Sequence, residues 1–257
     1  MQGIISNLIK YLRFFGGSHV CNVCNRRVRS FFPFSSDLQQ AATSAGFPYD
    51  FRRMETLNFD DCNCPFCLSS DRERLYMLYL SNFFKNYPIQ YLMLDFAPSK
   101  AFSQAIRKFE LVSYSSVDYY RSDVDLKLDI CNMIGVQSGT YDIVICSHIL
   151  EHVTDPDKGL AELYRILKPG GFVIVMVPLF WDVDQTMENP AYDSDELRLK
   201  YFGQKDHVRL FSKQDFTNRI SNAKFDVKAL DISWFDLNDV RKYAIADNSI
   251  LYVCSKS

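Results

Sequence analysis

Residues 141–176 read Tyr-Asp-Ile-Val-Ile-Cys-Ser-His-Ile-Leu-Glu-His-Val-Thr-Asp-Pro-Asp-Lys-Gly-Leu-Ala-Glu-Leu-Tyr-Arg-Ile-Leu-Lys-Pro-Gly-Gly-Phe-Val-Ile-Val-Met. The apolar run from Tyr141 to Cys146 suits a parallel strand that is buried on both faces. The run from Phe172 to Pro178 has the same character, and a helical pattern lies between the two. A strand, a helix and a strand in this order predict one half of a doubly wound α/β sheet.

The helix between the two runs has recognisable ends and one apolar face. Thr154 or Asp155 can cap it, with Pro156 at its first position, and Lys-Pro-Gly-Gly at 168–171 ends it. Four residues at helical spacing form the apolar face: Leu160, Leu163, Tyr164 and Leu167. Polar residues stand directly after the first strand, namely Ser147, His148, Glu151 and His152. Open α/β sheets bind ligands at this edge, so we expect a ligand site there.

Two Cys-x-x-Cys pairs, Cys21/Cys24 and Cys64/Cys67, stand near the start of the chain. Each pair can place two thiolates on one tight turn, and four thiolates suit a closed, structural zinc site without a catalytic role. Cys62 is a competing ligand, and free buried thiols are the alternative interpretation. The three cysteines outside this cluster are predicted to be core thiols: Cys131, Cys146 and Cys254.

Two motifs resemble the class I S-adenosylmethionine-dependent methyltransferases: Leu-Glu-His-Val at 150–153 and Leu-Lys-Pro-Gly-Gly at 167–171. The paired cysteine motifs, Ala-Pro after the first strand, and Phe-Gly-Gln-Lys-Asp-His-Val-Arg at 202–209 are similar to a bacterial subset of type 11-like methyltransferases with a zinc-binding N-terminus. The resemblance implies a Rossmann-like sheet of seven strands, the last antiparallel, with helices on both faces. It also implies S-adenosylmethionine as cofactor and, for some members, a role in glycan biosynthesis.

We predict two regions. Residues 1–88 hold an amphipathic helix over the first fifteen residues, the zinc-binding segment and a linking helix with a capping box at Ser70 and Glu73. Residues 89–257 form the methyltransferase domain. Residues 35–61 have no clear period and read as an insertion that covers the active site or contacts a substrate. The first helix is expected to dock on its own domain, with peripheral membrane or partner contact as the alternative.

The remaining strands and helices of the sheet can be placed by pattern. The predicted strands are Tyr91–Phe96, Leu111–Val117, Leu126–Ile130, Phe225–Ile232 and Ile250–Cys254, and the predicted helices are Ser99–Phe109, Ser212–Ala223 and a short one near Asp236. The turn after the first of these strands, Asp95-Phe96-Ala97-Pro98-Ser99, has no glycine. Class I methyltransferases usually carry a glycine-rich turn here, so we expect a turn of another shape and reduced support for cofactor binding.

Asp118 ends the second strand of the domain, where a carboxylate can accept hydrogen bonds from both ribose hydroxyls. The resemblance places Asp129 and Ile130 against the adenine. The predicted cofactor-binding residues are Asp95, Phe96, Ala97, Pro98, Asp118, Tyr119, Asp129, Ile130, Ser147 and His148.

Four residues are candidates for catalysis: His148, Glu151, His152 and His207. Methyl transfer from a sulfonium is an in-line displacement, so the protein positions the acceptor and removes a proton when the acceptor is a hydroxyl. The same four residues could instead hold a second divalent metal, for which zinc, iron or manganese suits better than magnesium. A structural role for His152 is the third interpretation.

The segment from Phe180 to Tyr201 is acidic and aromatic and is predicted to form an acceptor-side wall or lid, or a solvated excursion. Its acidity disfavours an anionic acceptor, although four cations nearby could bind a phosphate or carboxylate: Arg198, Lys200, Lys205 and Arg209.

Bulk properties narrow the function. The net charge of −2 gives no strong signal for nucleic-acid binding, and no apolar run is long enough to span a bilayer. We expect a cytoplasmic O-methyltransferase acting on a small-molecule or glycan-like acceptor. A non-catalytic interaction module with this fold is the main alternative, a ribosomal RNA methyltransferase is third, and a nicotinamide dehydrogenase is disfavoured because its phosphate-binding glycines are missing.

Overall fold

The computed structural model describes residues 13–257, so the helix predicted over the first fifteen residues lies outside the described residues except for its last three. The described strands are β1 (Phe15–Cys21), β2 (Arg26–Val28), β3 (Tyr91–Phe96), β4 (Val112–Asp118), β5 (Leu126–Lys127), β6 (Tyr141–Ser147), β7 (Leu167–Met176), β8 (Met187–Glu188), β9 (Arg209–Leu210), β10 (Asp226–Asp231) and β11 (Ile250–Ser255). The described α-helices are α1 (Ser36–Ser44), α2 (Asp71–Asn86), α3 (Lys100–Ile106), α4 (Pro156–Ile166), α5 (Asp195–Phe202), α6 (Lys213–Asn222) and α7 (Leu237–Lys242).

Seven strands form the central sheet in the order β10-β11-β7-β6-β3-β4-β5. The strands β3 to β7 are parallel, whereas β11 is antiparallel to both of its neighbours, β7 and β10. The connection from β3 leads to β4, and the connection from β6 leads to β7. These two connections run in opposite directions across the sheet. Because such crossovers are right-handed, α3 and α4 lie on opposite faces. The predicted seven-stranded Rossmann-like sheet with an antiparallel last strand is confirmed.

The buried strands form as their sequence dictates. In β6 every residue from Ile143 to Cys146 is buried, and β7 is buried from Phe172 onward. The helix between them starts as predicted, with Asp155 as its cap and Pro156 in its first turn. Both the central strands and their helix follow from local pattern and capping chemistry.

The third strand of the domain is shorter than predicted. It ends at Lys127, whereas the sequence pattern extended it to Ile130. The cause is a local turn, because the carboxylate of Asp129 accepts the backbone N–H of Cys131 and Asp129 pairs with Asn132. The chain therefore leaves the sheet before Asp129.

One hydrophobic core extends from the cysteine-rich segment into the sheet. It includes Val23, Val28 and Phe31 from the first region together with the buried faces of α2 and the central strands. The boundary predicted at residue 88 thus stays a prediction, since packing is continuous across it.

A second apolar cluster joins the insertion to the segment after β7. Phe47, Phe51 and Met54 from the insertion pack with Phe180 and Phe202. The insertion and the predicted acceptor-side wall are therefore one packed unit, which sequence periodicity did not indicate. Among residues 13–257, no helix has both the length and the apolar character that crossing a bilayer would require.

Asp95 is a buried carboxyl in the central sheet, and its ionisation affects the stability of the fold. It is 2% exposed, and burial raises the pKa of its carboxyl to about 8, although the Tyr114 hydroxyl donates to its Oδ2 at 2.8 Å and opposes the rise. A carboxyl whose pKa rises on folding stabilises the fold at low pH, and this contribution is lost as the pH rises towards the pKa of the folded protein. Asparagine keeps the acceptor for Tyr114 but cannot ionise.

We therefore expect the free energy of unfolding of the wild type to fall relative to that of Asp95→Asn by at least about 1 kcal/mol between about pH 5 and about pH 9. Urea denaturation of both proteins across this range measures the difference. Parallel pH profiles would show that the buried carboxyl is not held in its neutral form.

Candidate functional site

The four predicted metal ligands converge. The sulfurs of Cys21, Cys24, Cys64 and Cys67 all lie within 4.8 Å of one another, with 3.7 Å between Cys21 and Cys67 and 3.9 Å between Cys24 and Cys64. A tetrahedral zinc with metal–sulfur bonds of about 2.3 Å requires sulfurs about 3.8 Å apart. The cluster fits a zinc ion held by four thiolates.

The two cysteine turns share one backbone conformation. In each, the residue after the second cysteine has a positive φ, 58° at Asn25 and 63° at Leu68. Each of these residues donates its backbone N–H to the carbonyl of the first cysteine, Asn25 to Cys21 at 2.7 Å and Leu68 to Cys64 at 2.9 Å. The turns thus present both thiolates of a pair to the same side.

The other cysteines do not join this cluster. The thiol of Cys62 lies 3.8 Å from a carboxylate oxygen of Asp71. Cys146 and Cys254 are core thiols as expected, whereas Cys131 is only partly buried and lines a cavity at the edge of the sheet.

That cavity, of about 650 Å³, lies at the carboxyl ends of β3, β4 and β6. This is the point where the strand order reverses, which is where open α/β sheets bind nucleotide-type ligands. Seven of the ten predicted cofactor residues line it: Phe96, Ala97, Asp118, Tyr119, Asp129, Ile130 and His148. The other three, Asp95, Pro98 and Ser147, do not line it, and Asp95 is instead bonded to Tyr114 beneath the cavity.

Asp118 is held rigidly at the end of β4. Its Oδ1 accepts the backbone N–H groups of Tyr120 at 2.7 Å and Arg121 at 3.0 Å, and the residue is 8% exposed. These bonds orient the carboxylate at the cavity wall.

Ala97 replaces the glycine expected after β3 without changing the backbone class. Its φ is +48°, in the left-handed region that glycine favours, and its N–H donates to Val117 at 2.7 Å. An alanine in this region costs about 1 kcal/mol. Ala97 therefore adopts a conformation that a glycine would adopt at lower cost, and the predicted difference in turn shape stays a prediction.

A second cavity, of about 170 Å³, adjoins His148 from the other side. It is lined by residues of the insertion, of α2 and of the segment after β7, including Phe51, Arg72, Phe180 and His207. His148 lines both cavities. It therefore lies where the two cavities meet.

The backbone and the ring of His148 both have close partners. Its φ is +56°, and its N–H donates to the carbonyl of Met176 at 2.8 Å. Arg72 Nη1 lies 3.3 Å from His148 Nδ1, and since a guanidinium can only donate, Nδ1 accepts. Burial, with Arg72 next in effect, holds the pKa of His148 well below its usual range. The contact with Arg72 thus favours the neutral ring with its hydrogen on Nε2, while Glu151 Oε1 lies 3.4 Å from the same Nδ1.

Glu151, His152 and His207 meet beside His148, with one ligand atom of each within 4.8 Å of the others. Glu151 Oε1 lies 3.4 Å from His148 Nδ1 and 3.9 Å from His152 Nε2. Neither oxygen of Glu151, nor Nδ1 of His207, has a hydrogen-bond partner among the described residues. Burial raises the pKa of Glu151 to about 8, while burial and then His152 lower that of His207 to about 3.

Most of the four cations predicted to bind an anion are bonded to other groups of the protein. Arg209 is 4% exposed and donates to the carbonyls of Leu150 and Thr154 and to Glu188, while Lys205 pairs with Asp195. Arg198 is the one of the four that lines the larger cavity.

Arg72 was not singled out from the sequence, although it lies inside the capping-box motif that was recognised. Tyr76, one helical turn later, bonds through its hydroxyl to Ser147 Oγ. A pair of polar side chains four residues apart on an otherwise apolar helix face was the available signal.

An open α/β sheet with a cavity at its switch point is the architecture in which nucleotide-type cofactors are bound. A family model described as a methyltransferase domain matches residues 79–230, more than half of the chain. The chain belongs to this family, which confirms its predicted place among the class I S-adenosylmethionine-dependent methyltransferases.

Curated relatives match over short stretches. A ubiquinone/menaquinone biosynthesis C-methyltransferase of Hydrogenovibrio crunogenus is 38% identical over 71 residues, 28% of this chain and 27% of the relative. A ubiquinone biosynthesis O-methyltransferase of Pectobacterium atrosepticum is 37% identical over 70 residues, 27% of each protein. The chain spans about a quarter of the length of these relatives.

Solved structures of methyltransferases are also similar. One is a 1,6-didemethyltoxoflavin-N1-methyltransferase of Burkholderia thailandensis with bound S-adenosylhomocysteine, which has 10% sequence identity and a TM-score of 0.43. The likeness covers 69% of this chain and 76% of that chain.

The cysteine cluster predicts a zinc content that depends on four thiols and not on a fifth. We expect Cys24→Ser to lose most of the bound zinc, because a tetrahedral site with a neutral hydroxyl in place of one thiolate binds far more weakly. Cys62→Ser is the matched control and should keep the wild-type content. Metal analysis by mass spectrometry after dialysis measures zinc per chain, and equal losses in the two variants would contradict the assignment.

Proposed function

We propose that this protein is an enzyme that transfers the methyl group of S-adenosylmethionine to a hydroxyl oxygen of a small-molecule or glycan-like acceptor. The observation that carries the proposal is the pair of cavities that meet at His148. The larger cavity is lined by Asp118 and Asp129, and the smaller one adjoins it on the side of the insertion. When bound, the cofactor supplies an electrophilic methyl group on a sulfonium.

The larger cavity would hold the cofactor through groups already oriented. The Asp118 carboxylate accepts the ribose hydroxyls, and Asp129 and Ile130 lie along the cavity wall where the adenine would rest. Ala97 brings the backbone of the β3 turn to the cavity in the conformation that a glycine would take.

The acceptor side would supply one donor and one acceptor of hydrogen bonds. His148 donates from Nε2 and orients the acceptor oxygen, because its Nδ1 is already engaged by Arg72. His207 lines the smaller cavity, and its buried Nδ1 has no partner among the described residues. After a small shift of the ring towards the acceptor, this nitrogen would receive the hydroxyl proton as the oxygen–carbon bond forms and the sulfur–carbon bond breaks. Proximity and orientation then account for most of the rate.

A metal-assisted version of the same reaction has a specific observation in its favour. Glu151, His152 and His207 offer one carboxylate and two imidazoles within 4.8 Å, and Glu151 has two buried oxygens without partners. This donor set suits zinc, iron or manganese. A metal there would orient an acceptor oxygen, and His207 would then be a ligand and not the proton acceptor.

The four-cysteine zinc is proposed to be structural, because four thiolates leave no open coordination position. Its reduced thiolates suit a cytoplasmic location, which we propose on that ground. The non-catalytic alternative rested mainly on the glycine-free turn, and the left-handed φ of Ala97 removes much of that support.

Cofactor binding is the first test. We expect S-adenosylhomocysteine to bind the zinc-replete protein and Asp118→Asn to weaken binding at least about tenfold, since hydrogen bonds to a charged group contribute about 1.5–3 kcal/mol. Asp37→Asn, an exposed aspartate in α1, is the control and should bind like the wild type. Calorimetry measures all three affinities.

Unchanged affinity in Asp118→Asn would remove the ribose assignment. Absence of binding to the folded wild type would instead favour the non-catalytic interaction module.

The second metal is tested separately from the first. We expect wild-type protein equilibrated with manganese to retain it after dialysis if Glu151, His152 and His207 form a site, and the double variant His152→Ala/His207→Ala to lose it while keeping its zinc. Metal analysis distinguishes the two ions. Equal manganese retention by both proteins would exclude this site and leave proton transfer to His207.

A further inference from the structure

The smaller cavity contains a cation without an acidic partner. Arg72 lies in the first turn of α2 and is partly buried, and its guanidinium lines the cavity. Among the described residues, no carboxylate oxygen lies within 4.0 Å of the Arg72 guanidinium, the limit for an ion pair. Among the same residues, His148 Nδ1 is the one acceptor to which this guanidinium forms a hydrogen bond. A guanidinium offers five N–H donors, so most of those of Arg72 have no protein partner among the described residues.

The neighbouring acids are engaged elsewhere. The carboxylate of Asp71 accepts the backbone N–H of Asn58 and lies beside the thiol of Cys62. Glu73 accepts from the backbone and hydroxyl of Ser70 in the capping box. Burial lowers the pKa of Arg72, but the nearby acids Glu73, Asp71 and Glu151 raise it overall. These acids favour the charged guanidinium from a distance without forming an ion pair with it, so its N–H donors remain free for a ligand.

The rest of the cavity wall combines phenylalanines with polar residues, among them Asn63, Asp71 and Gln204. Phe51, Phe180 and Phe202 are at most 4% exposed and line it together with Phe34, which stacks on Phe51 at 5.2 Å. Its volume of about 170 Å³ accommodates one ring or a short chain but not a whole sugar polymer. His148, which also lines the larger cavity, and His207 add two imidazoles to the wall.

We propose that the acceptor is a small anionic molecule whose carboxylate or phosphate is bound by Arg72, with its apolar body against the phenylalanines and its hydroxyl towards His148 and His207. The hydroxyl part of this assignment rests on the proposed methyl transfer, whereas the anion site stands on the cavity itself. A guanidinium matches the planar, two-oxygen edge of a carboxylate and also binds phosphate oxygens, so both anions share this chemistry. The anionic group of the acceptor would thus be bound by a residue of α2 and not by the acidic segment after β7.

Benzoate, phenyl phosphate and benzamide are suitable probes, because they share a ring and differ in the attached group. Ligand-observed NMR titration measures their binding to zinc-replete protein, with and without S-adenosylhomocysteine. We expect benzoate or phenyl phosphate to bind at least about tenfold more tightly than neutral benzamide, a difference of about 1.4 kcal/mol. The stronger of the two anions identifies whether the site suits a carboxylate or a phosphate.

Variants assign the effect to Arg72. We expect Arg72→Gln to weaken binding of the anionic probe at least about tenfold and Arg72→Lys, which keeps the charge but loses the fork, to give an intermediate affinity. Arg241→Gln, an exposed arginine in α7, is the matched control and should bind like the wild type. S-adenosylhomocysteine affinity should match the wild type in Arg241→Gln. In Arg72→Gln it should fall much less than the affinity for the anionic probe, because Arg72 does not itself line the larger cavity.

Equal binding of benzoate, phenyl phosphate and benzamide by the wild type would overturn the proposal, as would wild-type anion affinity in folded Arg72→Gln or failure of both anions to bind. If Arg72→Gln does not fold, the comparison of charged and neutral probes on the wild type and on Arg72→Lys decides. Anion binding that depends on Arg72 in a protein that fails to bind S-adenosylhomocysteine would support the anion site while refuting the methyl-transfer function.

Discussion

The site depends on the contact between the first turns of α2 and the end of β6. Arg72 donates to His148 and Tyr76 bonds to Ser147, so two side chains one helical turn apart hold the two residues that follow the buried part of the strand. His148 has a left-handed backbone, which is costly unless surrounding contacts maintain it. The helix contacts and the Met176 carbonyl supply those contacts, and both cavities are shaped around the result.

The position of α2 is fixed in turn by the cysteine-rich segment. Arg74 is fully buried, donates to the carbonyls of Cys62, Asp61, Tyr243 and Ala244, and lies 3.9 Å from the centre of the Phe31 ring. Its charge is compensated by carbonyl dipoles, and its loss would leave several buried carbonyls unpaired at about 1–3 kcal/mol each. A zinc ion held by the four cysteines would stabilise the same segment. The metal would therefore act on the site by holding the helix that carries Arg72, without touching the reacting atoms.

The sequence predicted features that depend on local pattern and missed those that depend on distant packing. The strands, the caps at Ser70 and Asp155, and the two cysteine turns follow from spacing within a few residues. The structure of the insertion could not be predicted from periodicity, because its apolar residues, such as Phe47 and Phe51, pack against Phe180 and do not form one helix face. Ala97 shows another limit of prediction from sequence. An alanine in place of glycine argued against a left-handed backbone in this turn, yet Ala97 has that conformation and its N–H bonds to the carbonyl of Val117.

The convergence of His148, Glu151 and His207 was expected from the chain, but their different chemical roles follow from burial and partners. Arg72 occupies the lone pair of His148 Nδ1, so a second proton at that nitrogen would meet a fixed guanidinium. Glu151 Oε1 lies 3.4 Å from the same nitrogen, so a guanidinium and a buried carboxyl face His148 together. His207 Nδ1 is buried and has no partner among the described residues. One arginine that was not singled out from the sequence thus sets the electrostatic environment of the histidine at which the two cavities meet.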